Sequence, residues 1–217
     1  MAVNRREDIL HVAAELFSRQ GYHDTTVADI ARAAGIAQGT VYLYFGSKKE
    51  VFSALVDQTL SLFHDVLIQF VDLRQVDDIH TLIRQLPRIY EQVLRLFHEN
   101  RTLTRLMLTE VRGADLEIEA KLANFYANVS KQIETGIRLR MERGFYRSDI
   151  DAALITQCLL GMMERLAAHF LLEREKPDFA SMAVQLARFE LNGLIHPDHA
   201  EAVWLLDPSA SEDAAEA

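Results

Sequence analysis

Within the stretch from Gln38 to Tyr44 the sequence places Gln38, Gly39, Thr40, Tyr42 and Tyr44, with Lys48 and Lys49 shortly after. These residue types do not make a nucleophile, a general base or a metal shell; they suit contact with a nucleic acid. Glutamine can pair bidentately with an adenine edge. Glycine lets a backbone approach closely, and threonine and tyrosine hydroxyls, like the free N–H groups of a helix start, serve phosphate oxygens. A lysine opening the next helix can reach the backbone across the groove. The plainer alternative is that the tyrosines are half-buried amphipaths and the lysines a solvated helix start.

Presenting such a row requires a short helix held from behind, and the flanking sequence supplies one. Ile9, Val12, Ala13, Leu16 and Phe17 share one helical face from about Asn4 to Gln20, and Gly21 is a natural stop. Thr26 with Asp29 has the spacing of a capping box ahead of Val27, Ile30 and Ala31. Ala34-Gly35-Ile36 reads as a tight turn, and the third helix spans roughly Gln38 to Phe45. Val41 and Phe45, four apart, turn inward against Ile30, Ile36 and Leu16, leaving the polar row outside. Ser47 with Glu50 predicts a second capping box, for a fourth helix reaching about Phe70.

Beyond it the three-four periodicity continues without an alternating strand pattern, so the expectation is all-α with about nine helices. The spans are Asp78–His98 with a kink at Pro87, Thr102–Arg112, Leu116–Arg143, one capped by Asp149 or Asp151 up to Leu172, and Phe179–Leu194. The domains are expected at 1–47 and 48–206, with 207–217 a disordered acidic tail.

Charge separates the two parts. Residues 1–50 hold six Lys+Arg and six Asp+Glu, so the net of −9 falls entirely on the remainder. A phosphate-binding surface needs only local positive charge, and the acidic remainder calls for another task. The single Cys158 cannot form an internal disulfide and reads as a buried apolar residue. The N-terminus lacks a signal-peptide core and no apolar run is long enough to span a bilayer, which points to a cytoplasmic protein without a membrane partner. Enzyme motifs are missing: no Glu-x-x-His pair, H-E-x-x-H, phosphate-binding glycine loop or nucleophile elbow. His196 and His199, on either side of Pro197 and Asp198, read as a loop rather than a metal pair. No catalytic residue, metal or cofactor is expected.

The run "ILHVAAELFSRQGYHDTTVADIARAAGIAQGTVYLYFGSKKEVF" resembles the TetR-type bacterial transcription regulators. It has their G-Y/F-x-x-T-T, D-I-A-x-x-A-G, G-T-x-Y-x-Y-F and K-x-x-L/V-F elements in order and at family spacing. The resemblance implies an all-helical homodimer with an N-terminal helix-turn-helix and a C-terminal effector domain, binding double-stranded operator DNA. Position by position, Thr26, Gln38, Gly39, Thr40, Tyr42, Tyr44 and Lys48 fall where relatives touch DNA. Ala28 stands where some relatives read a base with arginine, and Leu43 is apolar where some carry an aromatic or polar side chain.

Past Phe70 the resemblance thins. An E-x-R segment, a long helix closing on glycine, and Gly161 with Glu164 are similar to the acyl-CoA-responsive regulators of fatty-acid degradation. Leu103, Met107, Phe125, Met162 and Phe170, with Arg105, Arg112, Tyr126 and Asn128, are read as an apolar pocket with a cationic mouth. That suits a lipophilic effector such as a long-chain acyl-CoA; a drug-like or aromatic hydrophobe acting on an efflux or catabolic operon is the alternative. The bland reading makes the apolar set core and the charges surface. The dimer interface is placed on the last two long helices, at Gly161, Met163, Ala167 and Leu186. A helical adaptor without DNA binding is the reading outside this family.

Overall fold

The computed structural model describes residues 5–67, 76–171 and 176–206. Among them are nine α-helices: α1 Arg5–Gln20, α2 Val27–Ala33, α3 Gln38–Tyr42, α4 Lys48–Leu67, α5 Ile79–Glu99, α6 Arg101–Thr109, α7 Leu116–Glu142, α8 Ala152–Leu166 and α9 Phe179–Leu194. The described residues contain no strand beyond an isolated antiparallel bridge between Tyr146 and Ile195. The all-α expectation holds. The ends of the fourth and eighth helices expected at Phe70 and Leu172, and the tail 207–217, lie outside the described residues.

Two compact units divide the chain, residues 1–63 with 100–126 and residues 64–99 with 127–217. The division differs from an edge at residue 47, because most of α4, all of α6 and the start of α7 group with the N-terminal helices.

In the first unit, α1 buries Ile9, Leu10, Ala13, Ala14 and Phe17. Phe17 meets Phe52 of α4 edge-on at 5.1 Å between ring centroids, and Tyr22 lies 4.5 Å from the same ring. Each buried aromatic of this kind stabilises by about 1.5–3 kcal/mol through area removed from water. Ile30 of α2, Val41 of α3 and Phe45 close the same core, while Ile36 and Leu16 are only half-buried.

Local chemistry sets the helix ends. Asp29 N–H donates to Thr26 Oγ1 at 3.1 Å and Thr26 N–H to Asp29 Oδ2 at 3.0 Å, so the first capping box forms. Gly35, at φ +66°, makes the turn into α3 in a conformation other residues rarely adopt. The second box forms by half: Glu50 N–H donates to Ser47 Oγ at 3.2 Å, but the Glu50 carboxylate takes the N–H of Gly46, at 2.8 Å. Asp151, not Asp149, caps α8 through the Ala153 N–H, since Asp149 is paired with Arg147. Pro87 lies inside a continuous α5.

The core of the second unit is built by α5 and α9, with Leu82, Ile83, Leu86, Tyr90 and Leu94 against Ala183, Ala187, Leu191 and Leu194. Two features escaped the periodicity. Residues Ala167–Leu171 wind as a π-helical turn, and Pro197–Leu206 form a 3-10 segment whose Leu206 is buried.

Candidate nucleic-acid interface

On α3, Val41 is fully buried and Phe45, just beyond, nearly so, which turns the intervening side chains outward. Tyr42 and Tyr44 are about half exposed, Leu43 is 82 % exposed, and Gln38 and Gly39 are exposed, with Thr40 half-buried. The sequence-predicted row therefore lies on one short helix and the residues after it. A Cβ placed on Gly39 would meet nothing within 4 Å, so the fold itself does not require glycine there.

Two other residues of the expected DNA-contacting set are engaged with groups of the protein itself. The Thr26 hydroxyl donates to Asp29 Oδ2 at 2.6 Å while accepting the Asp29 N–H, so its donor already has a partner. These bonds hold the Asp29 carboxyl below the usual carboxylate range. Lys48 Nζ donates to the Tyr22 and His23 carbonyls at 2.7 and 3.0 Å and lies 4.5 Å from the centre of the Tyr22 ring. Partial burial lowers its pKa. Lys48 thus ties the start of α4 to the α1–α2 loop.

The turn between α6 and α7 makes a second tie that the sequence reading missed. Glu110 Oε2 accepts the Tyr22 N–H at 2.9 Å, and His23 Nε2 lies 3.1 Å from the Gly113 carbonyl. Lys49 Nζ sits 3.0 Å from Asp115 and 2.9 Å from Glu117. Lys121 Nζ reaches Asp57 at 2.6 Å and Ser53 at 2.7 Å. The Lys49 bond holds the Asp115 carboxyl low, and Glu117 followed by Asp115 raises the Lys49 ammonium. Sequence separations of 64 or more for the other contacts explain why no local pattern announced them.

The expected effector residues fall in both units, Leu103 to Tyr126 in the first and Asn128, Met162 and Phe170 in the second. Met107 is buried in the core of the first unit, Leu103 is half-buried, and Arg105 and Asn128 are exposed. Phe125 meets Tyr126 edge-on at 5.9 Å. Met162 packs against the core of the second unit, and the Phe170 side chain lies outside the described residues. Of the set, Arg112 and Tyr126 share a described cleft, of about 520 Å3, with Leu116, Glu119, Ala120, Leu122 and Ala123. Three-four apolar spacing is the same for core and for cavity lining, so the spacing by itself does not separate the two.

The interface set divides as well. Met163 belongs to the core cluster and Ala167 is almost fully buried within the protomer, so neither offers area to a second chain. Leu186 packs partly on the same core, whereas Gly161 is exposed. The apolar residues left outside on these helices are Leu154, at 62 % exposed, and Phe189, at 71 %; Cys158 is exposed rather than buried.

Inside the second unit lies a polar cluster. Glu190 accepts from the Tyr90 hydroxyl at 2.5 Å and the Tyr146 hydroxyl at 2.7 Å, and the Arg140 guanidinium stands 5.6 Å from the centre of the Tyr146 ring. All four side chains are buried. Burial, followed by the Glu190 charge, pushes both phenols well above their ordinary value. The spacing Ala183–Ala187–Glu190–Leu194 puts this carboxylate on an apolar stripe, a signal legible in the sequence and not used.

Among the described residues no group of three or more His, Cys, Asp or Glu could hold a metal. His196 Nδ1 instead accepts the Asp198 N–H at 3.3 Å. No described helix is long and apolar enough to cross a membrane.

Comparison with known proteins agrees with this geometry. Residues 9–55 match the bacterial regulatory proteins of the tetR family, and residues 63–193 match the C-terminal region of YsiA-like protein. The chain is 27 % identical to the uncharacterized HTH-type transcriptional regulator YdgC of Bacillus subtilis (strain 168), over 89 % of this chain and 94 % of that one. It is 23 % identical to the fatty acid metabolism regulator protein of the same organism, over 86 % and 93 %. The solved structure of the transcriptional regulator FadR from Bacillus subtilis in complex with stearoyl-CoA shares the fold, with a TM-score of 0.69 at 20 % identity, over 86 % of this chain and 98 % of that one. A short helix with an exposed polar and aromatic face on a capped helix-turn-helix, followed by a helical second unit, together with both family matches, makes this chain a member of the TetR family of bacterial transcriptional regulators.

Proposed function

We propose that the protein is a homodimeric repressor that reads an inverted-repeat operator with α3 and leaves it when a lipophilic anion binds. The observation that carries the reading is the exposed row on a buried base: Gln38, Tyr42, Leu43 and Tyr44 outside, Val41 and Phe45 inside. A bare leucine beside two tyrosines on a short helix is a surface that excludes water only when covered. Gln38 reads a base edge, Thr40 and the tyrosine hydroxyls take phosphate oxygens, and Leu43 lies against a thymine methyl.

For the effector, support comes from the similarity to a regulator of fatty acid metabolism and from an exposed Arg112 in a cleft lined by leucines and alanines together with Glu119 and Tyr126. A long-chain acyl-CoA is the effector class we assign. Release needs tighter binding to the conformer in which α4 has spread the two reading heads, and the difference in affinity limits the shift.

A gel-shift assay with fragments flanking the protein's own gene tests the reading. A shifted complex at low salt, dissolved by acyl-CoA, is the expected result. Absence of any complex would leave a helical adaptor; release by an unrelated hydrophobe but by no acyl-CoA would replace the effector class.

A further inference from the structure

Residues 1–50 carry six cations against six anions, and a surface that meets a polyanion needs some of those cations uncompensated. Most are committed elsewhere. Arg5 lies 3.6 Å from Asp8 and Arg32 3.0 Å from Asp29, while Lys49 is shared between Asp115 and Glu117. Lys48 donates to the Tyr22 and His23 carbonyls. Arg6 and Arg19, both exposed on α1, have neither an ion pair nor a hydrogen bond among the described residues. Their surroundings differ. The Arg6 guanidinium carbon stands 5.2 Å from the centre of the Phe45 ring. Phe45 is only 5 % exposed and directly follows Tyr44, so this contact fixes Arg6 beside the end of the exposed row on α3. A guanidinium laid over an aromatic face is held by the ring and keeps its edge donors free, and that planar fork suits phosphate oxygens. Arg19 sits near the far end of the same helix, about 20 Å away along the axis, with no ring beneath it.

The position of Arg6 also runs against helix electrostatics. The first turn of α1 carries the positive end of the helix dipole, which favours Glu7 and Asp8 there and disfavours a cation. Arg5 is offset by Asp8, and Arg6 by no carboxylate. Local rules of this kind are broken where function requires it. The row from Gln38 to Tyr44 contains no charged residue, so a phosphate-facing charge has to come from another element. We propose that Arg6 grips the sugar-phosphate backbone of DNA at the α1 edge of the reading surface, beyond Tyr44, and supplies the uncompensated charge that the α3 row lacks. The inference rests on the DNA-binding reading and adds to it a contact from α1, outside the helix-turn-helix.

A phosphate contact is indifferent to base sequence, so the probes are a random-sequence duplex and the fragments flanking the protein's own gene. Binding of the full-length protein to both is followed by fluorescence anisotropy across a potassium chloride series, with a thermal melt of each variant. Arg6→Met keeps an apolar stem over Phe45 and removes the charge. It should bind both DNAs at least about fivefold more weakly, and the plot of log affinity against log salt should become shallower by about 0.9 for each head in contact. Arg6→Lys should restore the slope, and Arg19→Met should leave it at the wild-type value. An Arg6→Met protein that melts lower but keeps the wild-type slope and affinity confines Arg6 to covering Phe45 and overturns the proposal. Loss on a gene-flanking fragment alone makes Arg6 a reader of bases and overturns the phosphate assignment. Equal flattening by Arg19→Met reduces the effect to net charge and overturns the placement. All three leave the DNA-binding reading standing. A wild-type protein that binds neither DNA at low salt overturns that reading, and this inference with it.

Discussion

Glu190 is only 4 % exposed, and what makes it tolerable is the pair of phenols that donate to it and the guanidinium nearby. Removing the carboxylate leaves two buried phenol donors without an acceptor, so Glu190→Ala should cost at least about 1–3 kcal/mol in urea unfolding. Tyr146→Phe, which deletes one donor, should cost about 1–3 kcal/mol. The raised phenol pKa values also set an alkaline limit. Stability from keeping both phenols neutral is complete below their ordinary value of 10.0 and is lost as pH rises above it. Tyr90→Phe/Tyr146→Phe should therefore show a smaller fall in urea midpoint between pH 9 and pH 11 than wild type. On the DNA-facing side, Gln38→Ala should relax discrimination by about 1–3 kcal/mol if the contact is bidentate, measured as the ratio of operator to random-DNA affinity. Equal loss on both DNAs would remove its base-reading role. Lys48→Ala should lower the thermal midpoint as well as operator affinity, because its ammonium binds two carbonyls in the free protein.

At the scale of the element, α3 offers a clean separation of folding from recognition. Gly39→Ala adds a methyl group into open space and improves helix propensity by about 0.5–1 kcal/mol. The variant should fold at least as stably as wild type and still bind operator less tightly, since the methyl occupies the approach to DNA. Unchanged affinity in a gel shift would show that the backbone does not come close there. For α2, Thr26→Ala removes the cap and should cost about 1 kcal/mol. The Asp29 carboxyl, held low by Thr26, supports the cap above its ordinary value of 3.8 and loses that support as pH falls through its lowered one, so the cap should fail only in strong acid. These local features were legible in the sequence: Thr26–Asp29, Gly35 and the inward pair Val41–Phe45 act within a few residues of themselves. The length of α3 was not, because the N–H groups of Leu43 and Tyr44 bond three residues back, to Thr40 and Val41, and tighten the chain after Tyr42. Nor was the place of Lys48, which depends on carbonyls 25 and 26 residues away.

For the whole molecule, TetR-type regulation calls for two copies, and the exposed apolar side chains of α8 and α9 suit a self-complementary face. Phe189→Glu or Leu154→Glu should give a folded monomer by sedimentation, with operator affinity reduced through mass action. Met163→Glu should behave differently, lowering stability by more than about 3 kcal/mol, because its site is inside the protomer. Two reading heads related by a twofold axis should then protect two half-sites about 34 Å apart, visible as an inverted repeat in a footprint. The sequence carried the helices of this second unit but not the assignment of their faces, since a residue that packs on its own core and one that packs on a partner share the same periodicity. Cys158, the chain's one cysteine, stands four residues after Leu154 and three before Gly161 on the exposed stripe of α8. The natural protein thus comes with a reporter already installed: if two copies meet on this stripe, the rate at which a maleimide reaches the thiol should rise on dilution, and a rate that dilution leaves unchanged places the meeting face elsewhere.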